Sequence, residues 1–175
     1  MPVIQSVWTE GTLKFTFPAN SMASKYDEWS HYRNQFQSTC GSSKAVDLVY
    51  VKEQVAWLIE VKDYREHVRT KTIDLSDEIA VKVRDTLAGL VSASCYANDA
   101  DEKRCAKKLI GARRLRVVLH LEQPAKHSKL RPRAIEPDKL VLMLRTRLKA
   151  IDPHPAVVDS GSLRPDMDWS VTTLA

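Results

Sequence analysis

The chain predicts a mixed α/β fold, a mixed central β-sheet flanked by helices on both faces. Three observations carry this expectation. Residues 45–52 and 55–62 are two runs rich in Val, Ile, Leu, Tyr and Trp, separated by the turn-compatible pair Glu53-Gln54, and they read as a strand pair. Residues 76–97 place Ile79, Val83, Leu87, Leu90 and Val91 on one stripe at helical spacing. Residues 115–121 have the apolar centre Val117-Val118-Leu119. A long crossover separates them from strand 55–62, which makes the two strands parallel neighbours. A length of 175 residues fits one domain, residues 1–175, with a full core.

The remaining elements follow in chain order. In residues 3–17, Leu13, Phe15 and Phe17 alternate with Lys14 and Thr16 around a Glu10-Gly11 turn, giving a hairpin that Pro18 ends. A helix is expected over 23–38, where Tyr26, Trp29, Arg33 and Phe36 share a face; Ser24 and Asp27 have capping-box spacing. Ser76-Asp77-Glu78 opens the long helix with acids in its first turn. Residues 98–101 break it, and 103–112 read as a short basic helix. Residues 123–136 form a basic loop with two prolines. Pro137 begins a helix whose buried face is Leu140, Val141, Leu144, Leu148 and Ile151. The tail from Trp169 reads as an edge strand.

Composition is that of an ordinary soluble protein, with 43% hydrophobic and 28% charged residues. There is no apolar run long enough for a membrane helix, and the first residues lack the pattern of a signal peptide. Cys40, Cys95 and Cys105 lack CxxC spacing and read as reduced thiols of a cytoplasmic protein. The net charge of +5 is unevenly placed: residues 103–149 hold 15 Lys and Arg against 3 acids. One basic part beside one acidic part suggests a polyanionic partner and a separate cation site; the plain alternative is a solvated basic face.

The strand pair carries the chemistry. If Lys52 and Val55 flank the turn, Asp47 lies opposite Glu60, and directly opposed residues have Cβ atoms roughly 4.5–5.5 Å apart. Two facing carboxylates repel unless a proton or cation sits between them. Two carboxylates with water and a phosphate are the ligand set of Mg²⁺, or of Mn²⁺ in its place. Lys62 shares the face of Glu60 and would orient or deprotonate a metal-bound water. The residues therefore point to phosphodiester hydrolysis. The plain alternative is an acid that breaks up a hydrophobic strand, beside a solvated Glu60-Lys62 edge.

Asp47 followed by Glu60-Val61-Lys62 resembles the PD-(D/E)xK nuclease superfamily, over residues 23–121. Val46 stands where that motif often has proline. The resemblance implies a restriction-endonuclease-like αβββαβ core, here with an added N-terminal hairpin and C-terminal helix. It implies a Mg²⁺-dependent nuclease, in the first place an endonuclease on DNA, with Asp47, Glu60 and the backbone carbonyl of Val61 on the metal and Lys62 assisting the water. Many relatives place an acid on the helix before the active strands, which makes Glu28 a further candidate. Arg65, Arg69 and Lys71, and Lys126, Lys129, Arg131 and Arg133 in the later loop, are the candidate phosphate contacts. Two alternatives stay open: a non-catalytic nucleic-acid-binding or assembly module of the same fold, and an RNA-cleaving enzyme or toxin. A homodimer also stays open.

Overall fold

The structure, a computed structural model, describes residues 6–67, 69–124 and 135–174. It is a mixed α/β fold with two sheets. A five-stranded sheet has the order β3-β4-β5-β6-β7, with β3 Met22–Lys25, β4 Leu48–Lys52, β5 Val55–Asp63, β6 Arg114–Glu122 and β7 Ala156–Val158. A three-stranded sheet joins β1 Val7–Glu10, β2 Leu13–Thr16 and β8 Ser170–Thr173. The helices are α1 Leu75–Tyr96, α2 Ala100–Ile110 and α3 Pro137–Leu148.

The strand pair forms in the expected register. Lys52 pairs with Val55 and Leu48 with Ile59, so the ladder points Asp47 at Glu60 one step beyond its last pair. Glu53 takes φ +54° in the two-residue turn, the left-handed region such turns demand. β5 and β6 are parallel from Val55↔Arg114 to Asp63↔Glu122. The long crossover between them is α1 and α2, each opened by an aspartate that caps backbone N–H groups, Asp74 and Asp99.

Helices on both faces were expected, but α1, α2 and α3 all pack on one. Ile79, Val83 and Leu90 of α1, Leu109 of α2 and Leu144 of α3 bury against Val49, Leu58 and Val117. The other face is covered by the small sheet. Leu13 and Phe15 of β2, Phe17 and Val171 meet Leu48, Tyr50, Trp57 and Ile59 there. Trp169 anchors this second core, its ring centroid 5.2 Å from Trp57 and 5.6 Å from Tyr50. Strands β4 and β5 are thus buried on both faces, which is why they read as nearly continuous apolar runs.

The helix expected over 23–38 does not form. Met22–Lys25 adds to β4 as an edge strand, and helical turns follow at Tyr26–Glu28, Tyr32–Phe36 and Thr39–Gly41. Lys25 and Trp29 have ψ of 96° and 137°, so no helix passes through either. Pairing Met22–Lys25 satisfies an otherwise open β4 edge, and that long-range gain outweighs the local helical pattern. Ser24 accepts a 2.7 Å hydrogen bond from Trp29 Nε1 rather than capping a helix. The aromatic residues still reach the core, but Tyr32 is buried where Arg33 was expected on that face, and Arg33 is exposed.

Candidate functional site

The C-terminal end of β5 carries a buried cluster of opposite charges. Glu60 is 1% exposed and Asp47 8%. The backbone before Asp47 is held by α1: Val46 N–H donates to Thr86 Oγ1 at 3.0 Å and Lys44 N–H to Asp85 Oδ2 at 2.9 Å. Asp47 Oδ2 in turn accepts from Val61 N–H at 2.6 Å, closing the ladder where it runs out. Glu60 Oε1 accepts from two ammonium groups, Lys62 Nζ at 2.6 Å and Lys82 Nζ at 2.5 Å. Lys82 Nζ also lies 3.8 Å from Asp47 Oδ1. It therefore stands between the two carboxylates whose repulsion the sequence left unresolved.

A third acid completes the cluster. Glu78 and Lys82 are one helical turn apart on α1 and face the same way. Glu78 lies 3.4 Å from Lys62, 2.7 Å from Lys71 and 3.1 Å from Arg69. Burial and the Asp47 charge push Glu60 up to about 7, with Lys82 and Lys62 opposing. Burial also raises Asp47, against Lys82 and the Val61 N–H. Glu78 goes the other way: burial would raise it, but Lys71, Lys62 and Arg69 together hold it below the usual range. Lys62 is raised, the attraction of Glu60 exceeding the cost of burial.

On its other side Asp47 meets two more acids. Glu10, Asp27 and Asp47 bring carboxylate oxygens within 4.8 Å of one another. Burial, then the Asp47 charge, lifts Asp27 to about 6, while Lys25 pairs with Glu10 at 2.8 Å.

Of the residues singled out in the sequence, Asp47, Glu60 and Lys62 come together. Val61 meets Asp47 through its N–H. Glu28 does not join them: it is exposed and pairs with Lys25 at 3.1 Å, because the helix that would have aimed it inward is absent. Arg65 is turned away from solvent phosphate, donating to Asp63, Thr12 and Thr173 and so tying the small sheet to the end of β5. Arg69 and Lys71 are engaged by Glu78. Lys126, Lys129, Arg131 and Arg133 lie outside the described residues. Lys82, Glu78, Asp27 and Glu10 were missed. The i, i+4 spacing of Glu78 and Lys82 on the flank of the α1 stripe was a usable signal for two of them. Glu10 arrives from a distant hairpin and had none.

The donor chemistry suits a hard cation, since Asp47 Oδ1 and the buried Glu60 Oε2 are oxygens and Glu60 Oε2 has no hydrogen-bond partner among the described residues. As the chain folds here, the cation between them is the Lys82 ammonium.

Comparison with known proteins corrects the functional expectation. No protein-family model matches the chain, and no solved structure matches it. A cysteine–tRNA ligase of Neisseria meningitidis serogroup A is 33% identical, over 94% of this chain and 29% of the relative. The chain thus spans less than a third of the relative's length. A likeness to a tRNA ligase along nearly the whole chain overturns the expectation of a nuclease, whether magnesium-dependent endonuclease or other phosphodiester hydrolase. Within the cluster, Lys82 Nζ lies beside Asp47 Oδ1 and Glu60 Oε1, and Glu60 Oε1 is shared with Lys62. Among the described residues no helix is long and apolar enough to cross a membrane.

Proposed function

We propose that the chain is an RNA-binding module serving a tRNA ligase, engaging tRNA rather than cleaving nucleic acid. The observation that carries this reading is the likeness to a cysteine–tRNA ligase over 94% of the chain. The charge distribution supports it, because an excess of Lys and Arg in residues 103–149 supplies the electrostatic attraction on which nucleic-acid affinity depends. The reading puts RNA in place of DNA and needs no second copy of the chain. It places the protein in the cytoplasm, where tRNA is charged.

In this reading the carboxylate–lysine cluster is structural. It neutralises itself and holds β4, β5 and α1 at one end of the sheet. Mg²⁺ or Mn²⁺ would be held by Asp47 and Glu60 only in competition with Lys82, and would supply there the charge the ammonium now supplies.

The test is a binding titration of the purified chain against a folded tRNA and a DNA duplex of similar charge, at matched ionic strength. The expected result is tighter binding to tRNA, without cleavage of either polymer. Equal affinity for the two, or none for tRNA, would sink the proposal.

A further inference from the structure

Among the described residues, two groups of basic side chains lie at opposite ends of the five-stranded sheet. At the C-terminal end of β5, Lys62, Lys82, Arg69 and Lys71 are all engaged by Glu60, Asp47 or Glu78. Among the described residues, each of these four cations would have to leave an internal pair to meet a phosphate. The other end begins where Val55 pairs with Arg114 and where Arg114 N–H donates to Gln54 O at 3.1 Å. The last turn of α2 brings Lys107 and Lys108 beside it. Gly111, Arg113 and Arg114 then lead into β6.

Two clefts lie at this end. One, of about 490 Å³, lies between Met22, the Glu53-Gln54 turn and Lys107, Lys108 and Gly111. The other, of about 400 Å³, is lined by Arg113, Arg114, Arg116 and His154. Lys107, Lys108, Arg113 and Arg114 are exposed. Among the described residues none of the four pairs with a carboxylate, whereas their neighbours Arg104, Arg116 and Lys52 do, with Asp101, Asp152 and Asp168. Four cations without a carboxylate partner among the described residues line two open clefts, with Glu53 and Asp152 the acids beside them, and make a track for a phosphate backbone.

We infer that this end of the sheet is an RNA-binding surface of the chain, with Lys107, Lys108, Arg113 and Arg114 contacting successive phosphates. The inference rests on the proposed RNA-binding function and adds the location of the contact. The partner is RNA rather than a lipid surface, because the cationic residues line clefts instead of fringing an apolar insertion face.

Paired charge reversals test it, each removing the same charge from exposed positions. K107E/K108E and R113E/R114E alter the inferred track. K139E/R145E alters the outer face of α3, where Lys139 and Arg145 are also exposed. Binding of a labelled folded tRNA is titrated from low to physiological salt. The expected result is at least a tenfold loss for each track variant, with a salt slope shallower by roughly two, since each lost phosphate contact removes about 0.7–0.9 from it. K139E/R145E should change affinity less than about twofold. Equal losses in all three would mean that only net charge matters and would overturn the location while leaving RNA binding intact. No binding of tRNA by the unaltered chain would overturn both. Binding to vesicles of anionic lipid in preference to tRNA would identify a membrane surface instead.

Discussion

Glu60→Gln isolates the energetic role of the buried cluster. In the folded chain, burial and Asp47 raise the Glu60 carboxyl from an ordinary value of 4.5 to about 7. The folded state therefore holds a proton that the unfolded chain releases at lower pH. Stability from this group is fully present below pH 4.5 and is lost as pH rises through about 7. At 1.36 kcal/mol for each pKa unit, the full effect is about 3 kcal/mol. Glutamine keeps the size and one acceptor oxygen but does not titrate. Its contacts with Lys62 and Lys82 change the stability by an amount that does not follow Glu60's protonation. Urea unfolding followed by tryptophan fluorescence, with Trp57 and Trp169 both buried in the second core, gives the free energy of each form between pH 4.5 and 8. The wild-type value minus the variant value should fall by about 3 kcal/mol across that range. Parallel curves would show that Glu60 is ionised throughout, and that Lys82 and Lys62 outweigh burial and the repulsion of Asp47.

Two further outcomes follow from the same packing. Lys82→Met removes the ammonium between Asp47 and Glu60, so unfolding measurements at pH 8 should show a loss of about 3–5 kcal/mol, the usual consequence of stranding a buried charge. The loss should be smaller at pH 5, where Glu60 is protonated, and calorimetry should show Mn²⁺ binding more tightly to the variant than to the wild type; equal affinities would mean that Lys82 does not compete for the site. Gly89→Ala would place a methyl group 2.0 Å from the Tyr26 hydroxyl and 3.1 Å from the Phe36 ring, and overpacking of this kind costs about 1–3 kcal/mol; an unchanged melting temperature would show that the Tyr26 turn is free to shift.

The parts of the fold legible in the sequence were those specified by dense local pattern. Residues 45–52 and 55–62 read as strands because β4 and β5 are buried on both faces, and the two-residue turn set the register that opposes Asp47 to Glu60. The α1 stripe and the parallel placement of β6 followed from periodicity and crossover length. The failure at 23–38 had a different cause. The spacing of Tyr26, Trp29 and Phe36 is compatible with one helix, but it is equally satisfied by a strand followed by separate turns around one core. Only the open edge of β4 decides between them, and that edge is a tertiary fact. The same holds for the second face of the sheet: nothing local to β8 or to Trp169 says that it returns to β2 and covers β4 and β5. The site suffered likewise. Asp47, Glu60 and Lys62 were found because one hairpin holds them, while Lys82 and Glu78 needed the packing of α1 on that hairpin. Without Lys82, two facing carboxylates need a proton or a foreign cation between them; with it, the need is met from within the chain.

That internal neutralisation also explains how one chain carries an acidic cluster and an anion-binding track without conflict. β5 has nine residues, so its ends are roughly 26 Å apart at about 3.3 Å per residue. The Debye length at physiological ionic strength is about 8 Å. Charges at the two ends therefore act almost independently in solvent. Within the cluster, Asp47, Glu60 and Glu78 face Lys62, Lys82, Arg69 and Lys71, so the fields of opposite sign largely cancel before they reach water. Among the described residues the track has no carboxylate paired with its four cations. Lys107, Lys108, Arg113 and Arg114 line open clefts in which they outnumber the acids Glu53 and Asp152. A sequence motif marks where charges are concentrated. Recognition of a polyanion depends instead on where charge is left unpaired, and in this fold the two places are at opposite ends of the same strand.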